Sequence, residues 1–257
     1  MCQRPVLPIG GSGVDATERM VLPVKIAFVA DLHGNWPAVC ALEEDLRRQQ
    51  PDRIICLGDV VGKGPSNALT YDWAMANCDL IIGGNWDYGV GDKAFPMDAA
   101  YWNQLGEERL AVLRSLPQES EMMLSGRRVR LMHGRPVMNT LITVKDSLDA
   151  IQPLFTDAKG RPFDVVLYAD AHRQAMRTVN PGLFINTGSV GNALGVAYCC
   201  YAIVEAEPGD APAPFEVRLR QLPYDRAQAV RDAEAAPDVP RIDTYINEIK
   251  TAVYSRR

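Results

Sequence analysis

Long apolar runs, paired cysteines, excess positive charge and histidine are all scarce in this sequence, and each scarcity removes a class of function. No segment reaches the roughly 18 apolar residues of a membrane helix. The first 23 residues lack a continuous apolar core, and residues 9–13 (IGGSG) break them, so they do not read as a signal peptide. We expect a flexible leader over 1–23, with Met20 as a second candidate start, no membrane partner and a cytoplasmic location. The six cysteines form no Cys-x-x-Cys pair and no metal-finger spacing. Cys40, Cys56, Cys199 and Cys200 stand in apolar stretches, where a free thiol packs as a small hydrophobe, which points to a reducing compartment. With 27 Lys and Arg against 32 Asp and Glu, the net charge is -5. That balance, and the lack of any basic stretch interleaved with aromatics, speaks against a nucleic-acid partner.

What is present is an ordinary globular composition, 47% apolar over 257 residues, enough for a substantial core. The run VKIAFVA from Val24 to Ala30 reads as a strand buried on both faces. Asn35 is a plausible N-cap for a helix with Pro37 in its first turn and Val39, Leu42 and Leu46 on one face. Strands at Arg53–Leu57 and Asp79–Ile82 flank a helix over Asn67–Ala76, and this alternation predicts parallel pairing. Further on, a helix over Ala99–Leu116, a hairpin of Met122–Leu124 with Val129–Met132 and a helix over Lys145–Leu154 are expected. Strands follow at Val165–Tyr168, Met176–Val179, Leu183–Ile185, Tyr198–Val204 and Phe215–Leu222, and two amphipathic helices broken near Pro237 end the chain. The predicted fold class is α/β (α+β), with two sheets packed face to face and helices outside. The late helices leave a homo-oligomer open.

The chemistry collects at the C-terminal ends of the strands, the edge where open α/β sheets bind ligands. Asp31 and His33 follow the first strand, Asp59 the second and Asn85 the third; His133 ends Val129–Met132, and Asp170 and His172 follow Val165–Tyr168. All three histidines of the chain are in this set. One histidine after a strand is ordinarily a satisfied structural residue, and one Asp there a turn or cap. Seven such residues from five segments are hard to ascribe to packing. Oxygen and imidazole donors without thiolate suit Mn²⁺, Fe, Zn²⁺, Co²⁺ or Ni²⁺ over a Ca²⁺ cage.

These segments resemble the calcineurin-like metallophosphoesterases, which carry D-x-H, G-D-x-x, G-N-x-D/E, a single H and G-H-x-H in that order. Here the motifs read Asp31-x-His33, Gly58-Asp59-Val60-Val61, Gly84-Asn85-Trp86-Asp87, His133 and Ala169-Asp170-Ala171-His172. The stretches GDVVGKGP, MHGRP and FINTGSVGN are similar to segments of the bacterial and archaeal phosphodiesterase branch. The resemblance implies a four-layer sandwich over 24–222, a helical tail over 223–257 packed on the same domain, and a small phosphate-ester substrate. It implies two divalent ions, with Mn²⁺ first and Fe, Zn, Co, Ni or Mg open. Asp31, His33 and His172 would bind metal one, Asp59 would bridge, and Asn85 and His133 would bind metal two. Asp59, Asn85 and His133 would thereby be catalytic, and a metal-bridging hydroxide would attack phosphorus in line.

Two departures qualify this expectation. Asp170 replaces the first histidine of G-H-x-H, so three carboxylates face the ions where the family has two. That weakens metal two as a Lewis acid, raises the pKa of its water and favours harder ions such as Mn²⁺ or Mg²⁺. Trp86 stands where many relatives place the histidine that protonates the leaving group, so esters with poor leaving groups should react slowly. Trp86 reads equally as a packing residue at the pocket rim or as a stacking surface for substrate. Lys63, Arg135 and Arg173 adjoin the motifs and are candidate phosphate contacts, though each alone reads as a solvated surface residue. The expected function is a metal-dependent phosphodiesterase or phosphatase. The alternative is a non-catalytic binding or scaffold protein with a degenerate metal site.

Overall fold

The computed structural model describes residues 22–134 and 141–256. The first half builds strand β1 (Val24–Val29), helix α1 (Trp36–Gln49), β2 (Arg53–Cys56), α2 (Asn67–Asn77) and β3 (Leu80–Ile81). β1 pairs parallel with β2, and β2 with β3. Two late strands, β9 (Cys199–Ala206) and β10 (Phe215–Leu222), add antiparallel on the other side of β1, giving the order β10-β9-β1-β2-β3. The second sheet joins β4 (Glu119–Leu124), β5 (Arg127–Met132), β6 (Val165–Tyr168), β7 (Ala175–Thr178) and β8 (Leu183–Asn186) in the order β4-β5-β6-β8-β7. β5, β6 and β8 run parallel, while β4 and β7 close the edges antiparallel.

Patterning explains which strand lies where. β6 (VVLY) and β9 (CCYAIVEA) are apolar nearly throughout and are buried on both faces. The edge strands β4, β7 and β10 alternate between exposed and covered residues, the period-two signature of a half-buried strand. Between the sheets lies a layer that includes Ile26, Phe28, Ile55 and Leu57 from one side and Val129, Leu131, Leu167 and Ile185 from the other. Each fully buried Leu, Ile or Phe there contributes about 1.5–3 kcal/mol. The outer face of the first sheet packs on α1, α2 and α4 (Ala99–Ser115). Phe155, Phe163 and Phe184 help cover the outer face of the second. The tail helices α6 (Arg226–Glu234) and α7 (Ile242–Thr251) share a small core of Ala229, Ala233, Tyr245 and Ile249, and α6 lies against α1.

Two expectations change. The helix expected over Lys145–Leu154 is confined to α5, Leu148–Ile151, followed by a 3₁₀ turn over Gln152–Phe155. Pro153 has no N–H to continue the α ladder, which forces the tighter turn. Asn85 follows β3 as expected and opens a short helix, α3 (Asn85–Gly91). Cys40 is exposed on α1, whereas Cys56, Cys199 and Cys200 are buried as expected. Residues 1–21 of the expected leader lie outside the described residues. Among the described residues no helix is long and apolar enough to cross a membrane.

Candidate metal centre

Parallel pairing brings the ends of β1 and β2, and of β5 and β6, to one edge of the sandwich. Backbone hydrogen bonds stitch those ends together: Asp31 N–H to Gly58 O at 2.8 Å, His33 N–H to Asp59 O at 3.2 Å, and Ala169 N–H to His133 O at 2.7 Å. Turning ligand candidates inward from such short loops strains the chain. Among the described residues, six of the eleven non-glycine residues with positive φ are Asp31, His33, Asp59, Lys63, Asp170 and His172. That backbone region is sparsely populated for side-chain-bearing residues and collects at functional sites.

Asp31, His33, Asp59 and His172 are buried, and one ligand atom from each lies within 4.8 Å of the others. The histidines are held by their far nitrogens. His33 Nδ1 meets Val61 O at 3.1 Å, His133 Nδ1 meets Leu57 O at 2.7 Å and His172 Nδ1 meets Asn192 O at 2.6 Å. A carbonyl can only accept, so each Nδ1 carries a proton and each Nε2 faces the cluster. Burial and Lys63 lower the pKa of both His33 and His172, which keeps these two rings neutral. Their Nε2 atoms nevertheless face each other at 3.1 Å. Two lone pairs at that distance repel, and a shared cation removes the conflict. Asp31 repeats the argument, because both of its carboxylate oxygens are buried without a hydrogen-bond partner. The donor set therefore fits a metal ion.

The remaining candidates gather beside this cluster. His133 Nε2 lies 3.2 Å from Asn85 Oδ1, 3.4 Å from Asp59 Oδ2 and 3.8 Å from Asp170 Oδ1. Asp59 thus stands between the two groups, 3.4 Å from His33 Nε2 as well. Asp170 is the most accessible acid, with its side chain 24% exposed. Burial alone would lower the His133 pKa, but Asp59, Asp31 and Asp170 together raise it well above the usual value. Burial raises the Asp31 carboxyl, and His133 opposes that while Asp59 and Asp170 add to it. This crowding of acids is the field a multivalent cation relieves.

Lys63 is buried with its ammonium 3.2 Å from His172 Nε2 and 3.1 Å from Asn192 Oδ1. Burial and Arg256 bring its pKa down to about 8 against the acids that raise it. Trp86 lines the cavity and also packs: its ring meets Tyr101 edge-on at 6.1 Å and His33 at 5.9 Å. Gly62, at φ 92°, gives the indole its seat, since a Cβ there would lie 2.3 Å from the ring. Arg173 is exposed at the cavity rim. Arg135 lies outside the described residues. The cavity over the cluster measures about 540 Å³.

Four contributors carried no assigned role in the sequence. Asp87, within the G-N-x-D motif, accepts backbone N–H bonds from Asp59 (2.8 Å), Val60 (2.9 Å) and Gly84 (2.9 Å), binding the β2 loop to α3. Burial and Asp59 push its carboxyl up to about 7 against those donors. Asn192, after the GSVG turn, holds both Lys63 and His172. That turn locks onto the β1 end through Ser189 Oγ to Asp31 O at 2.9 Å. Arg241 and Arg256 reach the cavity from the tail, and no local pattern announces them.

Comparison with known proteins agrees with this geometry. The crystal structure of a metallophosphoesterase from Sphaerobacter thermophilus superposes with a TM-score of 0.67 at 22% identity, covering 90% of this chain and 99% of that one. Hypothetical protein PH1004 from Pyrococcus horikoshii gives 0.71 at 18% identity, covering 90% and 100%. Both establish the fold. The uncharacterized protein MJ0912 of Methanocaldococcus jannaschii is 33% identical over 124 residues, which is 43% of this chain and 49% of that protein. The chain thus matches about half the length of that curated relative. Residues 24–209 match the calcineurin-like phosphoesterase superfamily domain, over the same span that carries the strand-end ligands. With fold, ligand order and buried Asp/His cluster in agreement, this chain belongs to the calcineurin-like phosphoesterase superfamily.

Proposed function

We propose that the protein is a metal-dependent phosphoric ester hydrolase with a dinuclear site, acting on phosphodiesters in preference to monoesters. The observation that carries this reading is the pair of facing Nε2 lone pairs of His33 and His172 beside the unpartnered carboxylate of Asp31. Asp31, His33 and His172 would hold one ion, Asp59 would bridge, and Asn85, His133 and Asp170 would hold the second. Divalent ions bound there supply Lewis acidity toward the phosphoryl oxygens and a water activated for in-line attack. Mn²⁺ suits the hard, three-carboxylate donor set.

The protein's own contribution is orientation. The carbonyls of Val61, Leu57 and Asn192 fix the three imidazoles. Trp86 N–H, donating to Asp59 Oδ1 at 2.9 Å, aims the other Asp59 oxygen at the histidines. Lys63, at the cavity wall, offers a proton-bearing ammonium to a phosphoryl oxygen, and Arg173 waits at the rim. Trp86 cannot donate a proton to the departing alkoxide as an imidazolium would. Leaving groups of low pKa, such as aryl oxides, are therefore preferred.

Metal content and turnover of bis(p-nitrophenyl) phosphate and p-nitrophenyl phosphate, in wild type and Asp170→His, test the proposal together. Two ions per chain with faster diester turnover in wild type is the expected result. No turnover and at most one ion in wild type, both restored by the histidine, would favour the scaffold reading.

A further inference from the structure

A second, smaller pocket of about 260 Å³ opens directly beside the metal cavity. Asn85, Trp86, Arg241 and Arg256 line both, so the two spaces share one wall, on the Asn85 side of the cluster. Away from the metals the small pocket offers aromatic surface from Trp86 and from Phe95, which is 59% exposed. It also contains Asp98, a residue only 6% exposed whose carboxylate has no hydrogen bond or ion pair among the described residues. Burial raises the Asp98 carboxyl, and the fields of Arg241 and Arg256 oppose that shift, so both guanidinium groups act on it.

Arg256 is held in place. The segment after α7 folds back, with Gly195 N–H on Ala252 O at 2.8 Å, Ser255 N–H on Glu248 Oε1 at 3.0 Å and Ser255 Oγ–H on Thr244 O at 3.0 Å. This leaves the Arg256 guanidinium 5.4 Å from the Trp86 ring centre and 8% exposed, with Nε 3.6 Å from Glu248 Oε2. Its Nε and Nη2 make no hydrogen bond. Buried guanidinium donors without acceptors are costly, and an anion at the pocket junction removes that cost.

We propose that the side pocket is a subsite for the nucleotide half of a phosphodiester, a heteroaromatic base with ring N–H donors joined to a further anionic group. Trp86 and Phe95 stack on the base, Asp98 accepts from its N–H edge, and Arg241 and Arg256 take the anion at the junction. The volume is right for a ring system and too small for a whole ligand, which continues into the 540 Å³ cavity. The inference names the substrate class of the hydrolase proposed above and rests on that reading only for the cleavage itself.

The test is calorimetric titration of the full chain with guanosine 5′-monophosphate and with ribose 5-phosphate, in EDTA and again with saturating Mn²⁺. We expect the base to improve affinity about tenfold. Phe95→Ala and Asp98→Asn should each bring guanosine monophosphate to within about twofold of ribose phosphate. Phe95 is exposed and the Asp98 carboxylate caps no helix N–H, so neither change threatens folding. Arg256→Gln should weaken both ligands alike. Equal or undetectable binding of the two ligands in both conditions, or a base preference that survives both pocket variants, overturns the subsite. Turnover of bis(p-nitrophenyl) phosphate without base preference sinks the subsite and leaves the hydrolase. Base preference without any turnover does the reverse.

Discussion

Asp87 shows how much of this site depends on a side chain that meets the ligand positions only through their backbone. Its two oxygens gather backbone N–H groups from Asp59, Val60 and Gly84, so it sets where the bridging Asp59 begins. Asp87→Asn puts an NH₂ against donors that need acceptors. We expect Mn²⁺ affinity or diester turnover to fall about 10- to 100-fold, read from bound metal per chain across a titration. Unchanged binding would show that the loop holds itself. Gly62 is the companion case. Gly62→Ala adds a Cβ 2.3 Å from the Trp86 indole at a φ of 92°. It should cost about 2 kcal/mol in urea unfolding and alter tryptophan fluorescence, since the indole must leave its seat.

At the scale of elements, the joints between layers are polar and specific. Asp45 on α1 is 4% exposed and accepts from Arg220 Nε at 2.7 Å, Arg220 Nη2 at 2.8 Å and Tyr201 OH at 2.6 Å. One carboxylate thus fastens α1 to β9 and β10. Asp45→Asn should destabilise by about 2–3 kcal/mol, because the fork of Arg220 loses its charge partner. Burial pushes the Asp45 carboxyl up, but Arg220 and Tyr201 outweigh it and the net shift is downward. The stabilisation is therefore complete above the unfolded value near 3.9 and disappears as pH falls through the lower folded value. The gap between wild type and Asp45→Asn in urea unfolding should be full at pH 7 and close in strong acid. A gap that widened in acid would contradict the assignment.

For the whole molecule, the metal centre is also a joint. Asp31, His33 and Asp59 come from the first sheet's strand ends, and His133, Asp170 and His172 from the second's. An ion shared between them binds only when the sheets are packed, so it stabilises the packed state by mass action. At a hundredfold excess of free Mn²⁺ over Kd the gain is about 2.7 kcal/mol per site, which raises Tm by about 5–10 °C. Scanning calorimetry of wild type in Mn²⁺ and in EDTA measures this, and Asp31→Asn should show a smaller difference. An equal shift in both proteins would place the metal elsewhere.

The strands, the parallel sense of the first half, the candidate ligands and the superfamily were legible in the sequence because each is written locally. Apolar runs mark buried strands, Asn35 and Pro37 mark the start of α1, and the D-x-H, G-D and G-N-x-D segments keep their spacing along the chain. The short α5 could have been read from Pro153 and the exposed Cys40 from its helical phase, since both are matters of local geometry. Other features depend on contacts between distant residues. Nothing around Glu248 or Ser255 signals that the tail folds back to bury Arg256 against Trp86. No period in the sequence joins Phe95 and Asp98 to Arg241. The sequence by itself determined which side chains could ligate metal, because ligand chemistry resides in residue type and strand-end position. Only the tertiary structure decided that Asp59 stands between two groups of ligands and that a second pocket adjoins them, because those relations arise where separate elements pack in space.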